Sequence, residues 1–335
     1  MPSLRHYCLW RYDGAYHHCE GGFAVIAKAW FLLFRPWSYT ATLVPFLVGV
    51  AVAPATHGYA RWWVGLGAGV LFQATVNLLN TWGDERSGVD DVPGAVRTTP
   101  QVHDGLVSMR ALLVVALVCA ACAALIGLSL CFYRDGGVWR ISRPLLAAGF
   151  VGFLGATNYS TGIKFKYRGL GVPFVAFLMG PLEIFVAVCL LRPVDAMEHL
   201  SLLMVLLSLP VALLVCVIMH GNDMRDIASD RSAGIRTVAS MLGTRWALVL
   251  YWGCHLLPYA VCALLLARYG RLLVLPFMAL PLTRRTLTAA TRTYLACPEN
   301  PPWRRLERAS GGIHLVFGAL YAIALRMAFN PIASE

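Results

Sequence analysis

Charge is scarce in this sequence. Only 13% of its 335 residues are Asp, Glu, Lys or Arg, against roughly 25% in a soluble domain. Acidic residues are scarcer still, 17 beside 28 Lys and Arg. A chain that is 58% apolar is too poor in polar groups for an ordinary soluble enzyme, and the solvent it implies is lipid. The formal charge of +11 could suggest nucleic acid, but no basic module with interleaved aromatics accompanies it. No nucleic-acid partner is expected, because in a membrane protein basic residues gather in cytoplasmic loops. A secretory signal is not expected either. Residues 1–22 are polar and aromatic, carry Asp13 and Glu20, and have no uninterrupted apolar centre. The two acids also weigh against a mitochondrial presequence. Cysteine is plentiful at ten, but most lie inside apolar runs, where the residue behaves as a small hydrophobe. Cys119-x-x-Cys122 has no second ligand pair and reads as packing. His17-His18-Cys19, in a polar tail, reads as tail.

What is present is a series of apolar runs, each near the roughly 20 residues a bilayer requires. The expected fold is all-α and integral to the membrane. Nine transmembrane helices are placed at about 38–54, 62–81, 106–132, 145–163, 171–191, 200–220, 246–267, 271–290 and 312–329. The eighth is cut short by Arg284-Arg285. Residues 1–34 form a tail and an interfacial helix, broken by Arg35-Pro36-Trp37, and 35–330 form one membrane domain. With this topology, 20 of the 28 Lys and Arg fall on the side of the N-terminus and 8 on the other. That bias places the N-terminus and the loops after the even-numbered spans in the cytoplasm. Plasma membrane and endomembrane both fit.

The few acids are not scattered. Asp84, Glu85, Asp90 and Asp91 follow the second span, and Asp223, Asp226 and Asp230 follow the sixth, so seven of the 17 stand in two segments on one side. Each segment closes an apolar helix with Asn-x-x-x-Asp. At 100 degrees per residue, Asn77, Asn80 and Asp84 share a face, and so do Asn222, Asp226 and Asp230. The bland alternative, two solvated helix ends, explains single aspartates but not two such helices on the same side. Amide and carboxylate oxygens are hard ligands suited to Mg²⁺, which binds through one or two carboxylates plus substrate phosphates. Carboxylates at a membrane mark function by default. A diphosphate would be repelled by them unless metal lay between.

These residues resemble the UbiA superfamily of membrane prenyltransferases, most closely its menaquinone-forming, MenA-like branch. Arg35-Pro36-Trp37-Ser38 with Thr42-Leu43-Val44-Pro45 resembles that branch's opening. Asn77-Leu78-Leu79-Asn80-Thr81 through Asp84 and Gly88-Val89-Asp90 resembles its first aspartate motif. Tyr159, Gly162 and Lys166-Tyr167-Arg168-Gly169-Leu170-Gly171 resemble its loop between spans 4 and 5, and Gly180-Pro181-Leu182 its following turn. Asn222-x-x-Arg225-Asp226-x-x-x-Asp230-Arg231-x-Ala233-Gly234-Ile235-Arg236-Thr237-Val238-Ala239, then Leu242-Gly243, resembles its second motif, the longest and most specific block.

The resemblance implies a bundle of helices around a central cavity. It also implies Mg²⁺-dependent transfer of a polyprenyl group from an isoprenyl diphosphate to an aromatic, naphthoquinone-type quinone precursor. By the same resemblance Asn80, Asp84 and Asp90 hold one metal, Asn222, Asp226 and Asp230 the other, and Asn77 is a further ligand candidate. Lys166, Arg168 and Arg225 would contact the diphosphate, with Tyr159 close by and Arg97 in a capping loop. The catalytic group is then Asp84, Asp226, Asp230, Lys166 and Arg225. For Lys164, Lys166 and Arg168 the alternative is a topology-setting basic cluster. Asp91 could replace Asp90, and Asp223 is a further carboxylate beside the second motif. His220 is as readily packing as an acceptor contact. Two positions depart from the family pattern: Val172, where an acid is frequent, and Glu183, mid-span where an apolar residue is expected. Glu183 reads equally as a cavity-facing carboxyl or as a contact to the acceptor. Other acceptors (4-hydroxybenzoate, homogentisate, haem) stay open, as do an ion-coupled transporter and a non-catalytic lipid-binding protein.

Overall fold

The structure is a computed structural model that describes residues 11–12, 15–16, 22–53, 59–87, 100–103, 105–192, 202–303 and 305–329. Asp90, Asp91 and Arg97 lie outside these, as do Asp13 and His17-His18-Cys19. Among the described residues the chain is helical apart from two small hairpins, β1 (Arg11–Tyr12) with β2 (Ala15–Tyr16) and, later, β3 (Phe132–Asp135) with β4 (Val138–Ile141).

The expected break after residue 34 is present. Helix α1 (Gly22–Phe34) ends at Arg35, whose backbone is left-handed at φ 51, and a 3-10 turn (Pro36–Ser38) leads into α2 (Thr40–Val52). Helix α1 is not loose on a surface, since Ala29 and Leu33 are buried against Leu78, Leu79 and Leu112. Helix α3 (Ala60–Ser87) has 28 residues, about 42 Å at 1.5 Å per residue, longer than the roughly 30 Å hydrocarbon core. Its last turns therefore carry Asn80 and Asp84 out to the polar edge while keeping them helical. A short α4 (Pro100–His103) precedes α5 (Met109–Cys131), and the β3–β4 hairpin joins α5 to α6 (Arg143–Thr157).

The next span is interrupted. Helix α7 (Gly171–Phe177) and α8 (Glu183–Leu191) are joined by a π turn (Leu178–Leu182) containing Pro181. Proline has no N–H for the ladder and its ring collides with the preceding turn, so the helix widens there. Gly180 faces α9 so closely that a Cβ on it would lie 2.5 Å from the Ala212 Cβ, the small-residue contact typical of helices packed in lipid. Helix α9 (Leu202–Arg225) ends at Asp226, and α10 (Ile227–Ser232) follows. Helix α11 (Val238–Tyr269) bends at Gly243, where φ is 77. It begins with a capping box in which the Thr237 side chain and Ser240 satisfy each other's free amides. A 3-10 stretch (Arg271–Ala279), α12 (Leu280–Ala296) and α13 (Leu306–Phe329) complete the chain.

Among the described residues seven helices are long and apolar enough to cross a membrane, which makes this a multi-pass membrane chain. The other two expected spans fall on Arg143–Thr157, apolar but short, and on 271–296, broken by the 3-10 stretch and the arginines. The core lies where α2, α8, α9, α11 and α13 converge, around Val44, Ile184, Leu214, Tyr251 and Phe317. His220 belongs to this packing. It is buried and its Nε2 lies 2.8 Å from the Ala247 carbonyl, joining α9 to α11. Cys119 is buried and Cys122 exposed, and both are free thiols.

Candidate functional site

Asn77, Asn80 and Asp84 lie on one buried face of α3, as their spacing requires. Their roles separate at once. Asn77 donates from Nδ2 to the Phe34 carbonyl at 2.8 Å and to Ser38 Oγ at 2.9 Å, so its amide nitrogen fastens the break between α1 and α2 to the motif. Asn80 and Asp84 instead meet Lys166. The ammonium lies 2.8 and 3.0 Å from the two Asp84 oxygens and 3.2 Å from Asn80 Oδ1. The Tyr167 hydroxyl adds a 2.6 Å bond to Asp84 Oδ1.

Lys166 is delivered by a compact turn over 158–170. Asn158 accepts the Ile163 amide on its side chain at 3.1 Å, and the Lys166 amide donates to the Tyr159 carbonyl at 2.9 Å. Gly162 and Gly169 take positive φ, where a side chain would be strained. Burial opposes the Lys166 charge, but the Asp84 carboxylate outweighs it and holds the amine ionised, with its pKa above the usual lysine range. Burial pushes the Tyr159 phenol upward, and Asp223 adds to that.

The second motif differs from a single helix face. Asn222 is on α9 and Asp230 on α10, but Asp226 sits at the break between them, its amide bonded to the Asp223 carbonyl at 3.2 Å. That tight turn replaces the continuous i, i+4, i+8 face expected from spacing. Arg225 grips Asp226 with two parallel bonds of 2.7 Å and lies 3.6 Å from Glu307 on α13. Asp230 accepts from the Thr237 hydroxyl at 2.9 Å. Its pKa is raised to about 7, first by burial, with Asp226 and Asp84 also raising it and Lys166 opposing. Asp230 therefore feels Asp84 and Lys166 directly, so the two motifs adjoin although some 140 residues separate them in sequence. A backbone bridge between Arg168 and Arg236 links the Lys166 turn to the loop after α10.

A cavity of about 460 Å³ opens beneath the motifs. At its polar end are Arg35, Asn77, Asn80, Tyr159, Asn222 and Glu307. The opposite end runs between α3, α5 and α6, where Leu146, Phe150 and Phe153 line it and are also exposed on the outer surface.

The donors present fit a hard divalent cation. Asn222 Oδ1 is buried and has no hydrogen-bond partner among the described residues, an arrangement that is costly unless something is to be bound there. Among the described residues no three His, Cys, Asp or Glu side chains converge on one point. The set is thus the sparse carboxylate-plus-amide kind, completed by substrate oxygens, rather than an all-protein cage. The sequence offered Lys166 and Arg225 as diphosphate contacts, and the structure shows that each also meets a carboxylate. Arg168 is exposed, with no role in the cavity lining. Sequence reasoning gave no role to Tyr167, Thr237, Glu307 or Arg35. The last was read only as part of a motif and a helix break, but it lines the cavity and donates to Thr81 Oγ1 at 3.3 Å.

The chain is 29% identical over 308 residues to the UbiA prenyltransferase domain-containing protein 1 of Homo sapiens, covering 89% of this chain and 83% of that one. It is 28% identical over 323 residues to the Gallus gallus protein of the same name, covering 94% and 90%. Its fold matches a UbiA homolog from Archaeoglobus fulgidus bound to GPP and Mg2+, with a TM-score of 0.59 at 14% identity, across 89% of this chain and 99% of that one. An apo UbiA homolog from Aeropyrum pernix K1 gives a TM-score of 0.57 at 16% identity, across 89% and 98%. The sequence model of the UbiA prenyltransferase family matches residues 42–323, and with the paired motifs and the cavity between them the chain belongs to that family.

Proposed function

We propose that this prenyltransferase moves a polyprenyl group from an isoprenyl diphosphate to an aromatic, naphthoquinone-type ring, the step that makes a menaquinone-type prenylquinone. The observation that carries this reading is the unpartnered, buried Asn222 oxygen in the same cavity wall as Asn77 and Asn80. The related Archaeoglobus fulgidus protein bound to GPP and Mg2+ supports the same ligands here.

Asn80, Asp84, Asn222, Asp226 and Asp230 would hold Mg²⁺, with Asn77 bracing the first set and Asp90 or Asp91 reaching in from the following loop. Bound there, Mg²⁺ supplies charge stabilisation for the departing diphosphate. Arg35 in the cavity lining adds a guanidinium suited to phosphate oxygens. Lys166 and Arg225 fix Asp84 and Asp226 in place, so that little reorganisation is needed as charge develops. The apolar passage between α5 and α6 takes the chain and excludes water from the allylic cation. The C1–O bond breaks first and the diphosphate leaves with the electron pair; the ring carbon then bonds to C1 of the allylic cation, and the ring gives up a proton. Nine spans, with 1–34 as a tail and interfacial helix and 35–330 as the catalytic domain, place both motifs at the cytoplasmic face.

The assay uses purified protein, geranylgeranyl diphosphate, a dihydroxynaphthoate acceptor and Mg²⁺. Product that is lost with EDTA and in Asp84→Asn supports the proposal. No product with any aromatic acceptor, together with ion-coupled flux in liposomes, contradicts it.

A further inference from the structure

One group of polar side chains stands in the cavity away from the motifs. Glu183 opens α8, immediately after the π turn, and Gln73 is at the middle of α3. Both line the cavity. The Thr42 side chain on α2 hydrogen bonds to one Glu183 oxygen. The other, Oε2, is buried without a partner among the described residues, and so is Oε1 of Gln73. Gly69, one turn before Gln73, makes room for the cluster. A Cβ there would lie 2.9 Å from Thr42 Cγ2 and 3.8 Å from Glu183 Oε1. Three helices thus bring a carboxyl and an amide together near mid-membrane and leave each with unused hydrogen-bonding capacity. Ionisable groups at that depth mark function by default, because the hydrocarbon core gives them no partner.

We infer that Glu183 and Gln73 form the subsite that binds a ring hydroxyl of the aromatic acceptor, an inference that rests on the prenyl-transfer reading above. A hydroxyl is one donor and one acceptor. Glu183 Oε2 and Gln73 Oε1 are both buried acceptors without a donor among the described residues, and the hydroxyl hydrogen is the donor they lack. Neither the isoprenyl chain nor the diphosphate suits this place, since an apolar chain leaves both polar atoms unpaired and an ionised diphosphate, an acceptor only, brings them no hydrogen. The two cavity walls therefore divide the substrates. The chain runs along the α5–α6 wall, through Leu128 and Phe153, and the ring lies on the α3–α8 wall. Gln73 is seven residues from Asn80, about 10 Å along α3, which leaves space for a bicyclic ring between the hydroxyl subsite and the metal-binding end. A site built to bond a hydroxyl rejects analogues lacking it far more strongly than an apolar pocket discriminates by size.

The test compares wild type with Glu183→Leu, Glu183→Gln and Gln73→Leu, using dihydroxynaphthoate and its methyl ethers. Kinetics give KM for each substrate, and calorimetry on the detergent-solubilised protein gives acceptor affinity without turnover. In wild type the methyl ethers should bind roughly 100-fold more weakly than the free hydroxyl compound. Glu183→Leu and Gln73→Leu should remove most of that preference and raise the acceptor KM, leaving the KM for geranylgeranyl diphosphate unchanged. Glu183→Gln, which keeps a carbonyl acceptor, should fall between. Unchanged preference in the Leu variants overturns the subsite, as does a rise confined to the geranylgeranyl diphosphate KM. Absence of product in wild type defeats prenyl transfer instead, and the calorimetric preference still decides the subsite.

Discussion

At the scale of single residues, the most exposed point of the account is the buried contact between Lys166 and Asp84. The side chains are 9% and 11% accessible, so removing one partner breaks a buried ion pair, at a cost of about 3–5 kcal/mol. Lys166→Met should therefore lower thermal stability sharply, and the double variant Lys166→Met/Asp84→Asn should regain much of the loss. A double variant no more stable than Lys166→Met would show that the contact carries little. Asp230 gives a pH prediction. A carboxyl with a pKa of about 7 is largely protonated at pH 6 and largely ionised at pH 8, and only the ionised form is a metal ligand. Mg²⁺ affinity should rise across that interval. Thr237→Val removes a bond that favours the ionised form, so it should move the rise to higher pH. Calorimetric Mg²⁺ titrations at several pH values check both.

At the scale of elements, the interruptions matter more than the helices. The break at Asp226 turns a straight motif into a corner that lets Arg225 grip its neighbour while Asn222 lines the cavity and Asp230 lies within the influence of Asp84. The π turn at Leu178–Leu182 places Glu183 at the cavity wall. Gly180 should tolerate little. Gly180→Val drives a side chain into Ala212 and should cost about 1–3 kcal/mol by overpacking, visible as a lower melting temperature with the motifs intact. Much of this architecture was legible in the sequence. The apolar runs located the long helices, the α1–α2 break followed from Arg35-Pro36, and the spacing of Asn77, Asn80 and Asp84 gave their shared face. Periodicity assumes an unbroken helix, however, so it could not show the turn at Asp226. The pairing of Lys166 with Asp84 and of Arg225 with Asp226 was hidden for a different reason. A basic residue near a phosphate site reads the same whether or not it also meets a carboxylate, and only the fold shows the pairing. Glu307 had one available signal, as an acid in a chain with only 17.

At the scale of the whole molecule, the claim is that two distant segments close over one cavity at one membrane face. The orientation we propose rests on the distribution of basic residues. With Cys8, Cys19 and Cys297 replaced by Ser, Glu299→Cys should react with an impermeant maleimide only from the cytoplasmic side. Val138→Cys, on the exposed hairpin strand, should react only from the other side. The same side for both would remove the topology.

The most direct measurement is the binding of geranylgeranyl diphosphate to the purified protein, titrated with Mg²⁺, in wild type and in Asp84→Asn and Asp226→Asn. A single site shared by both motifs predicts that affinity depends on Mg²⁺ and that either substitution alone removes most of the dependence, by roughly 100-fold. Binding that is equally tight in EDTA, or that keeps its full Mg²⁺ dependence in either variant, would contradict the account.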